Sequence, residues 1–319
     1  DQMVVKKVYL GMVLLFENKK EIIPLIQSTA GLEYMISTKI KSLINLNKKT
    51  IGLMHLASDD KPKTENIQTQ LNQHYNFRSV DSKNSIPNNL DVLLVSGAVD
   101  TLDTLIISNL RSFLNSGKNI FFTQSGVSAD IQTQQANPIE SNVFDFLKEY
   151  DLDVQKNLVL DAKCGNVQVQ QSVGLFRMNR AVQYPFFPII DSFNTTDSIS
   201  KIMVNNLEQV LPLFPSEIKI DSIKSEKIAR VTTLFSSSNN SGIMESNFML
   251  SPDPQQNPFI KVFGQKSKTL AATSKLTKGG ELMLVSDSRF LSDEGGMSIP
   301  DNIVFLMNAV DYLAGDQDL

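Results

Sequence analysis

The chain has 319 residues, of which 41% are hydrophobic and 20% charged, and its formal net charge is −4. This composition is typical of a globular protein. Its acidic balance excludes a general attraction to phosphate backbones or anionic lipids, so we expect no nucleic-acid binding. The only cysteine, Cys164, excludes an intrachain disulfide and leaves the redox compartment open.

The N-terminal residues predict a β-hairpin followed by a helix. Apolar and polar residues alternate over 7–16 and 21–26, on either side of a polar turn at 17–20. Apolar residues at helical spacing then predict a helix over 31–46. The longest early apolar run, 8–16, is far shorter than the ~20 residues that a membrane-spanning helix needs.

Residues 48–123 alternate short apolar runs with amphipathic runs, which is the pattern of strands connected by helices. The predicted strands cover 50–56, 77–80, 90–96 and 118–123, and the predicted helices cover 64–74 and 102–116. Gly117 stands where a helix commonly ends in a left-handed residue. Short connections between such units imply a mostly parallel sheet with right-handed crossovers.

The middle of the chain has a different pattern. After a polar surface loop predicted at 130–140 and a short helix at 142–150, β-branched residues alternate with polar ones over 154–187 and 199–235. This period of two predicts antiparallel strands or a β-rich insertion. Residues 236–257 are rich in serine and asparagine and predict a long exposed loop.

Five polar residues are predicted to lie at one edge of the sheet. The chain closes with strands predicted at 269–275 and 281–285 and a helix at 301–314. Asp287, Ser288 and Arg289 come directly after the last of these strands, and Gln124 and Ser125 follow the strand that ends at residue 123. Ligands of open α/β sheets bind at the carboxyl ends of the strands, so these residues are predicted to line a pocket edge.

An aromatic loop is predicted at 184–188, where two prolines hold the backbone extended. Tyr184 and Phe186 are its candidate contacts with a partner, because aromatic side chains held in place offer contact area with little entropy to lose. Packing in the core is the alternative for the loop's phenylalanines. The binding prediction therefore depends on whether these rings are exposed.

Together these elements predict an α/β fold with a mostly parallel, Rossmann-like sheet, helices on both faces and a β-rich insertion. The predicted units are an N-terminal hairpin and helix adaptor (1–47), a sheet domain (48–150 with 269–319) and a β-rich insertion or subdomain (151–268).

Several segments, in order along the chain, resemble one known family. They are Leu32-Glu33-Tyr34, Lys49-Thr50-Ile51-Gly52, Ile86-Pro87 with 90–95, Gln183-Tyr184-Pro185-Phe186, 285–292 and 302–316. This ordered set resembles the auxiliary component of gliding-motility-type ABC transporters, the GldG-like family. The resemblance implies a class I glutamine-amidotransferase-like sheet without catalysis, similar to a domain of intraflagellar-transport proteins.

The same resemblance implies a location and partners. It places the domain on the extracytoplasmic (periplasmic) face of the bacterial inner membrane, beside an ABC permease and ATPase. The chain starts at Asp1 without a methionine. We therefore expect a fragment of a longer protein, whose flanking parts hold the membrane helices.

Candidate catalytic groups are few. Glutamine amidotransferases need a cysteine in a sharp strand-to-helix turn and a histidine to activate it, but this chain has Thr123-Gln124-Ser125-Gly126 at that place. Cys164 lies in the β-rich half. We therefore expect no enzymatic activity, and the alternative is an amidotransferase-like hydrolase that uses Ser125 or His55.

Ligand and metal motifs are also missing from the sequence. It has no P-loop, no dinucleotide fingerprint and no histidine with a partner at metal-ligand spacing, so we expect no cofactor and no metal. Asp287 and Asp293 could hold a divalent cation or cap the loop between them. The expected function is a non-catalytic domain of an ABC-transporter-associated membrane protein, of the gliding or export type, which binds protein or ligand. A small-ligand or sugar-binding domain is a further alternative.

Overall fold

The computed structural model describes residues 11–23, 36, 39–40, 43, 48–57, 61–173, 176–193, 198–204, 207–220, 226–253, 255–257 and 261–315. The helix predicted at 31–46 and the outer ends of both predicted hairpin arms lie almost wholly outside these ranges. Within them, no helix is long and apolar enough to cross a membrane.

The elements of the first half are, in chain order, β1 (Met12–Phe16), β2 (Lys19–Ile23), β3 (Thr50–His55), α1 (Glu65–His74), β4 (Asn76–Val80), β5 (Val92–Ser96), α2 (Thr104–Asn115), β6 (Asn119–Thr123), β7 (Val127–Asp130), β8 (Gln135–Pro138), α3 (Val143–Lys148), β9 (Asp153–Val154) and β10 (Leu158–Asp161). Those of the second half are β11 (Cys164–Val173), β12 (Phe176–Pro188), α4 (Ser198–Met203), β13 (Ile218–Lys219), β14 (Ile228–Ser236), β15 (Ser241–Met244), β16 (Thr269–Leu276), β17 (Glu281–Val285), a 3₁₀ turn (Gly296–Ser298) and α5 (Pro300–Leu313).

A mixed, mostly parallel sheet forms the centre of the fold. In the described part of the chain it has seven strands in the order β14–β16–β17–β6–β5–β3–β4. The five strands from β17 to β4 run parallel. At one end of the sheet, β16 runs antiparallel to both of its neighbours, β17 and the edge strand β14. All five residues of β5 and of β17 are buried, as expected for parallel strands covered on both faces. The predicted parallel sheet is therefore confirmed, with an antiparallel end added.

Alternate residues of the central strands pack into two separate hydrophobic clusters. One contains Leu94 of β5 together with Leu71 of α1 and Phe305 of α5. The other contains Leu93 of β5 together with Phe113 of α2. Successive side chains of a strand point to opposite faces, so the two clusters are the two covered faces of the sheet.

The β-rich segment forms a third cluster, beyond the carboxyl ends of β6 and β17. Its buried residues come from several strands and loops and include Leu158, Tyr184, Phe214, Met244 and Leu250. The edge strand β14 lies in the segment predicted as the insertion, yet it pairs with β16 in the main sheet. The domain boundaries at 47, 150 and 268 stay predictions.

The prediction of a surface loop at 130–140 is wrong, because β7 and β8 form an antiparallel hairpin there. The Asp130 carboxylate accepts the N–H groups of Gln132 (2.8 Å) and Thr133 (3.3 Å), and Gln134 adopts a left-handed conformation at φ 55°. This local capping makes a tight turn from residues whose composition suggested a loop.

The prediction of a long exposed loop at 236–257 is also wrong. It contains β15, which pairs with β10, and Leu250 is buried. The serines are satisfied internally: the Ser237 hydroxyl donates to Ser241 Oγ (2.9 Å) and the Ser238 hydroxyl donates to Asp161 (2.7 Å). A serine-rich stretch can therefore be buried when its hydroxyl groups bond to one another.

Two further predictions in the middle segment need correction. Residues 198–203 form α4 and not a strand, and α4 packs against β14 and α5. The aromatic segment 184–188 is the last part of β12 and not a loop.

Gly280 precedes β17 where the backbone passes the end of α2 closely. A Cβ atom at this position would lie 1.7 Å from the Lys118 carbonyl oxygen, so one of the two backbones would have to move. We expect Gly280→Ala to lower the free energy of unfolding by roughly 2–3 kcal/mol. Gly165→Ala is the control, because its nearest atom would be 3.6 Å away. Urea denaturation that shows equal stability for both variants would contradict this prediction.

Candidate functional site

Strands β6 and β17 end side by side, since Thr123 pairs with Val285. The loops that follow them are joined by two reciprocal hydrogen bonds: Ser125 N donates to Ser288 Oγ (2.7 Å), and Ser288 N donates to Ser125 Oγ (2.9 Å). The structure thus brings together the two groups of residues that the sequence placed at one sheet edge.

Gln124 is wholly buried, and its side-chain amide forms hydrogen bonds with backbone groups of the protein. Its Oε1 accepts the Ala98 N–H (2.8 Å), while Nε2 donates to the carbonyls of Ala98 (3.0 Å) and Ser125 (2.8 Å). Gly97 makes this approach possible, since a Cβ atom there would lie 2.6 Å from Gln124 Oε1. Gln124 therefore ties the loop after β5 to the loop after β6.

A short stretch of chain, residues 210–217, crosses the carboxyl ends of β6 and β17; we name it the cover segment. Its Ser216 N–H donates to the Ser286 carbonyl (3.0 Å), and Ser216 Oγ accepts the Gly126 N–H (2.8 Å). At its other end, the Asn302 side chain of α5 exchanges two hydrogen bonds of 2.9 Å with the Leu211 backbone. The cover segment is thus fixed to the loops after both strands and to α5.

Asp287 links the cover segment to the loop after β17. Its Oδ2 accepts the Leu213 N–H (2.8 Å) and its Oδ1 accepts the Arg289 N–H (2.8 Å). Burial raises the pKa of this carboxyl to about 7, and the two N–H donors and the Arg289 charge act in the opposite direction. Asp287 is therefore a buried capping group.

Asp293 does not share a ligand site with Asp287. Its two oxygens accept the N–H groups of Glu65 (2.7 Å) and Asn66 (3.0 Å), so it caps the first turn of α1. Among the described residues, no group of three or more histidine, cysteine or acidic side chains could hold a metal ion.

Arg289 and two aromatic residues lie against the ring of Phe214 in the cover segment. The guanidinium of Arg289 lies 5.7 Å from the ring centre of Phe214 and donates to the Ala129 carbonyl (2.7 Å). The Phe214 ring contacts Tyr184 and Phe186, each at a centroid distance of 6.0 Å. All seven predicted site residues therefore meet around Phe214 and the two strand ends.

The predicted aromatic contacts are buried and not exposed. Tyr184 is 3% exposed and Phe186 0%, and the Tyr184 hydroxyl donates to the Leu250 carbonyl at 2.5 Å. Burial raises the pKa of the Tyr184 phenol, in keeping with this enclosed position. These two rings form part of the third hydrophobic cluster, which is the core-packing alternative left open by the sequence.

The candidate catalytic residues are separated. Ser125 Oγ lies within hydrogen-bonding distance of the carbonyls of Ser286 (3.3 Å) and Phe214 (3.5 Å), and among the described residues no hydrogen bond joins it to His55. Burial and the Lys61 charge lower the pKa of His55, whose Nδ1 has no hydrogen-bond partner. Cys164 is buried at the start of β11, which raises the pKa of its thiol.

The cover segment is the part of this region that sequence reasoning missed. Pro212 and Pro215 flank its Leu213-Phe214 pair, as Pro185 and Pro188 flank two phenylalanines in β12. A pair of large apolar residues between two prolines was thus a signal that the two segments share. The structure packs the segments against each other, with the ring centres of Phe187 and Phe214 5.1 Å apart.

The sequence model of the family described as "ABC-type uncharacterized transport system" (ABC_transp_aux) matches residues 48–309. The chain belongs to this family. The match confirms the predicted resemblance to an auxiliary component of ABC transport systems. A protein of Borreliella burgdorferi is 23% identical over 331 aligned positions, which cover 98% of this chain and 64% of that protein. The chain thus spans less than two thirds of this relative.

Solved structures resemble the ABC_transp_aux chain in fold. The mmIFT52 N-terminal domain superposes with a TM-score of 0.53 at 14% identity, over 84% of this chain and 99% of that domain. A ThuA-like protein from Bacteroides uniformis gives a TM-score of 0.44 at 9% identity, over 84% and 94% of the two chains. The likeness to the IFT52 domain shows a shared fold, as the family resemblance implied.

Proposed function

We propose that this chain is a non-catalytic binding domain of an ABC transport system of the gliding or export type. In this proposal it lies on the extracytoplasmic face of the inner membrane, is held there by membrane helices outside the chain, and works with the permease and ATPase subunits. Family membership supports the transport role. The covered carboxyl edge of the sheet is the observation that favours binding over catalysis.

The argument from the covered edge is physical. In open α/β sheets, substrates enter at the carboxyl ends of the strands. Here that place holds the cover segment, and the polar groups beneath it bond to one another: Gln124 to Ala98, Ser125 to Ser288, and Asp287 to Leu213. A substrate would have to break these bonds before it reached Ser125. The protein's interactions are therefore assigned to its outer surface.

The proposal includes the finer fold description, a Rossmann-like or amidotransferase-like sheet with helices on both faces. Support comes from the two clusters on the sheet, since α1 and α5 contribute to one and α2 and α3 to the other. An amidotransferase-like sheet that lacks a cysteine in the strand-to-helix turn fits a domain with this fold and no catalytic activity.

The binding proposal is tested with the permease–ATPase complex reconstituted in nanodiscs. The chain should bind these discs in biolayer interferometry and should not bind discs that lack the complex. Equal signals from both kinds of disc, or no binding to either, would overturn the proposal.

The proposed location is tested in whole cells. A membrane-impermeant maleimide should label a cysteine placed at exposed Lys83 of the full-length Cys164→Ser protein. Labelling that needs cell lysis would overturn the location.

The hydrolase alternative has its own test. We expect a fluorophosphonate probe to label the wild-type chain no more than the Ser125→Ala variant. Ser125 is only 4% exposed, and its hydroxyl group is hydrogen-bonded to backbone groups. His55→Ala should also leave labelling unchanged. Strong labelling that both substitutions abolish would instead favour a hydrolase.

A small-ligand function is a second candidate, because one cavity of about 450 Å³ lies beside the edge strand β14. Its lining includes Phe193, Asn239, Ser267 and the Lys163–Asp191 ion pair. This mixture of hydroxyl, amide and aromatic groups suits a neutral sugar or polyol. A thermal-shift screen of such ligands should raise the melting temperature if one binds, and Asn239→Ala should remove the shift. No stabilising ligand would count against this candidate.

A further inference from the structure

The cavity beside β14 has a buried apolar part and an exposed polar part. Its volume of about 450 Å³ falls within the roughly 300–1,000 Å³ that small-molecule sites occupy. Ile190, Leu234 and Phe235 line it and are each at most 2% exposed. The lining residues that are exposed are all polar: Lys163, Asp191, Ser192, Asn239 and Ser267. This division suits a ligand that has one apolar side and one polar side.

One buried carboxylate connects two of the segments that line the cavity. Asp161 is 0% exposed, and its Oδ1 accepts the Lys163 N–H at 2.9 Å. The same carboxylate accepts the N–H (2.6 Å) and the hydroxyl (2.7 Å) of Ser238. Ser238 Oγ in turn accepts the Asn240 N–H (3.0 Å), so the backbone is fixed on both sides of Asn239. Lys163 and Asn239 are therefore held in place before a ligand binds, which lowers the entropy cost of binding.

The segment that follows β12 is fixed to the same structure. The Ile189 N–H donates to the Lys163 carbonyl (3.0 Å). Ile190 exchanges two backbone hydrogen bonds, of 2.9 and 2.7 Å, with Val210 at the start of the cover segment. Hydrogen bonds thus join the backbone on which Asp191 stands both to Lys163 and to the cover segment.

The charges at the cavity favour a neutral ligand. Among the described residues that line it, the charged ones are Lys163 and Asp191, and they form an ion pair. A charged or zwitterionic ligand would have to break this pair to bind either group. Hydroxyl groups would not, because an ammonium group has three hydrogen atoms and a carboxylate has two oxygens. Hydrogen bonds to charged groups are also stronger than those between neutral groups.

We infer that the cavity recognises a vicinal diol of a neutral sugar. One hydroxyl group of the diol donates to Asp191 and its neighbour accepts from Lys163, so the diol adds to the ion pair without breaking it. Asn239 binds a further hydroxyl group. The apolar side of the sugar ring packs on half-buried Phe193. The inference rests on the small-ligand function proposed above and adds the groups that recognise the sugar.

The test measures binding of D-glucose, D-galactose, D-mannose and myo-inositol to the wild-type chain by saturation-transfer difference NMR. We expect at least one of them to bind, and Asp191→Asn and Asn239→Ala each to raise its Kd roughly fivefold or more, because each variant loses hydrogen bonds to the ligand.

Two matched controls should keep Kd within about twofold of the wild type. Asn240→Ala changes an exposed asparagine that does not line the cavity. Glu140→Gln changes the acid of another exposed ion pair, with Lys156, outside the cavity lining. Circular dichroism and melting temperature check the fold of every variant. If Asp191→Asn did not fold, Asn239→Ala would decide the outcome.

The outcomes separate the inference from the function on which it rests. A sugar that binds the wild type and both cavity variants equally well would overturn the inference and leave the small-ligand function standing. Absence of binding by all four compounds would overturn both, and the transport function would still have its own nanodisc test. Stronger binding of L-leucine than of any sugar would also overturn the inference, because a zwitterion would then replace the ion pair.

Discussion

Phe214→Ala is expected to lower the free energy of unfolding by about 3–5 kcal/mol, the range for a large aromatic residue removed from a core. Phe214 is 2% exposed and contacts Tyr184, Phe186 and Phe187 in the third cluster. The change also removes the surface under the Arg289 guanidinium. Urea denaturation followed by circular dichroism measures the loss.

Phe263→Ala is the matched control, because Phe263 is a half-buried residue on the same cluster and should cost much less. A second comparison uses the backbone of Phe214, which has a φ of 52°, in the left-handed region that favours glycine. Phe214→Gly should therefore be at least as stable as Phe214→Ala, although glycine usually destabilises. A small effect of Phe214→Ala, comparable to that of Phe263→Ala, would show that the cover segment is not held by its ring.

The central sheet was predictable because its signals are local. The apolar runs of β5 and β17 are too short for helices, and each is followed by polar residues and a helix. The helix predicted at 102–116 matches α2, which begins after Asp103, whose side chain accepts the Leu105 N–H at 2.8 Å. Such signals place the carboxyl ends of β6 and β17, and with them Ser125 and Asp287, at one edge.

What covers that edge could not be read from sequence, because it depends on contacts between distant residues. Leu213 meets Asp287 across 74 positions, and Leu211 meets Asn302 across 91. The serine-rich stretch was misread for the same reason, since Asp161, the partner of Ser238, is 77 positions away. Composition describes what a segment contains, whereas burial depends on which partners the fold supplies.

Asp287→Asn is expected to remove the fall in stability that the Asp287 carboxyl causes between about pH 4 and pH 7. The carboxyl titrates near 3.8 when exposed, and burial raises its pKa to about 7 in the folded protein. Between these values the folded state holds a proton that the unfolded chain has lost, so the free energy of unfolding falls as pH rises. The gap corresponds to a loss of about 4 kcal/mol, complete above pH 7 and absent below pH 4.

Asparagine stays neutral at every pH, so the variant should show no such fall. Its one carbonyl oxygen can accept from Leu213 or from Arg289, but not with the geometry of both carboxylate oxygens. At pH 5 we therefore expect Asp287→Asn to be less stable than the wild type by about 1–2 kcal/mol. At pH 8 the difference should vanish or reverse, because the wild type then carries a buried charge.

Urea denaturation from pH 4.5 to 8 measures how the stability of the wild type and of Asp287→Asn changes with pH. Asp100→Asn is an exposed control that should keep the wild-type slope. If Asp287→Asn also kept that slope, Asp287 would be ionised throughout, and the hydrogen bonds from Leu213 and Arg289 would outweigh its burial.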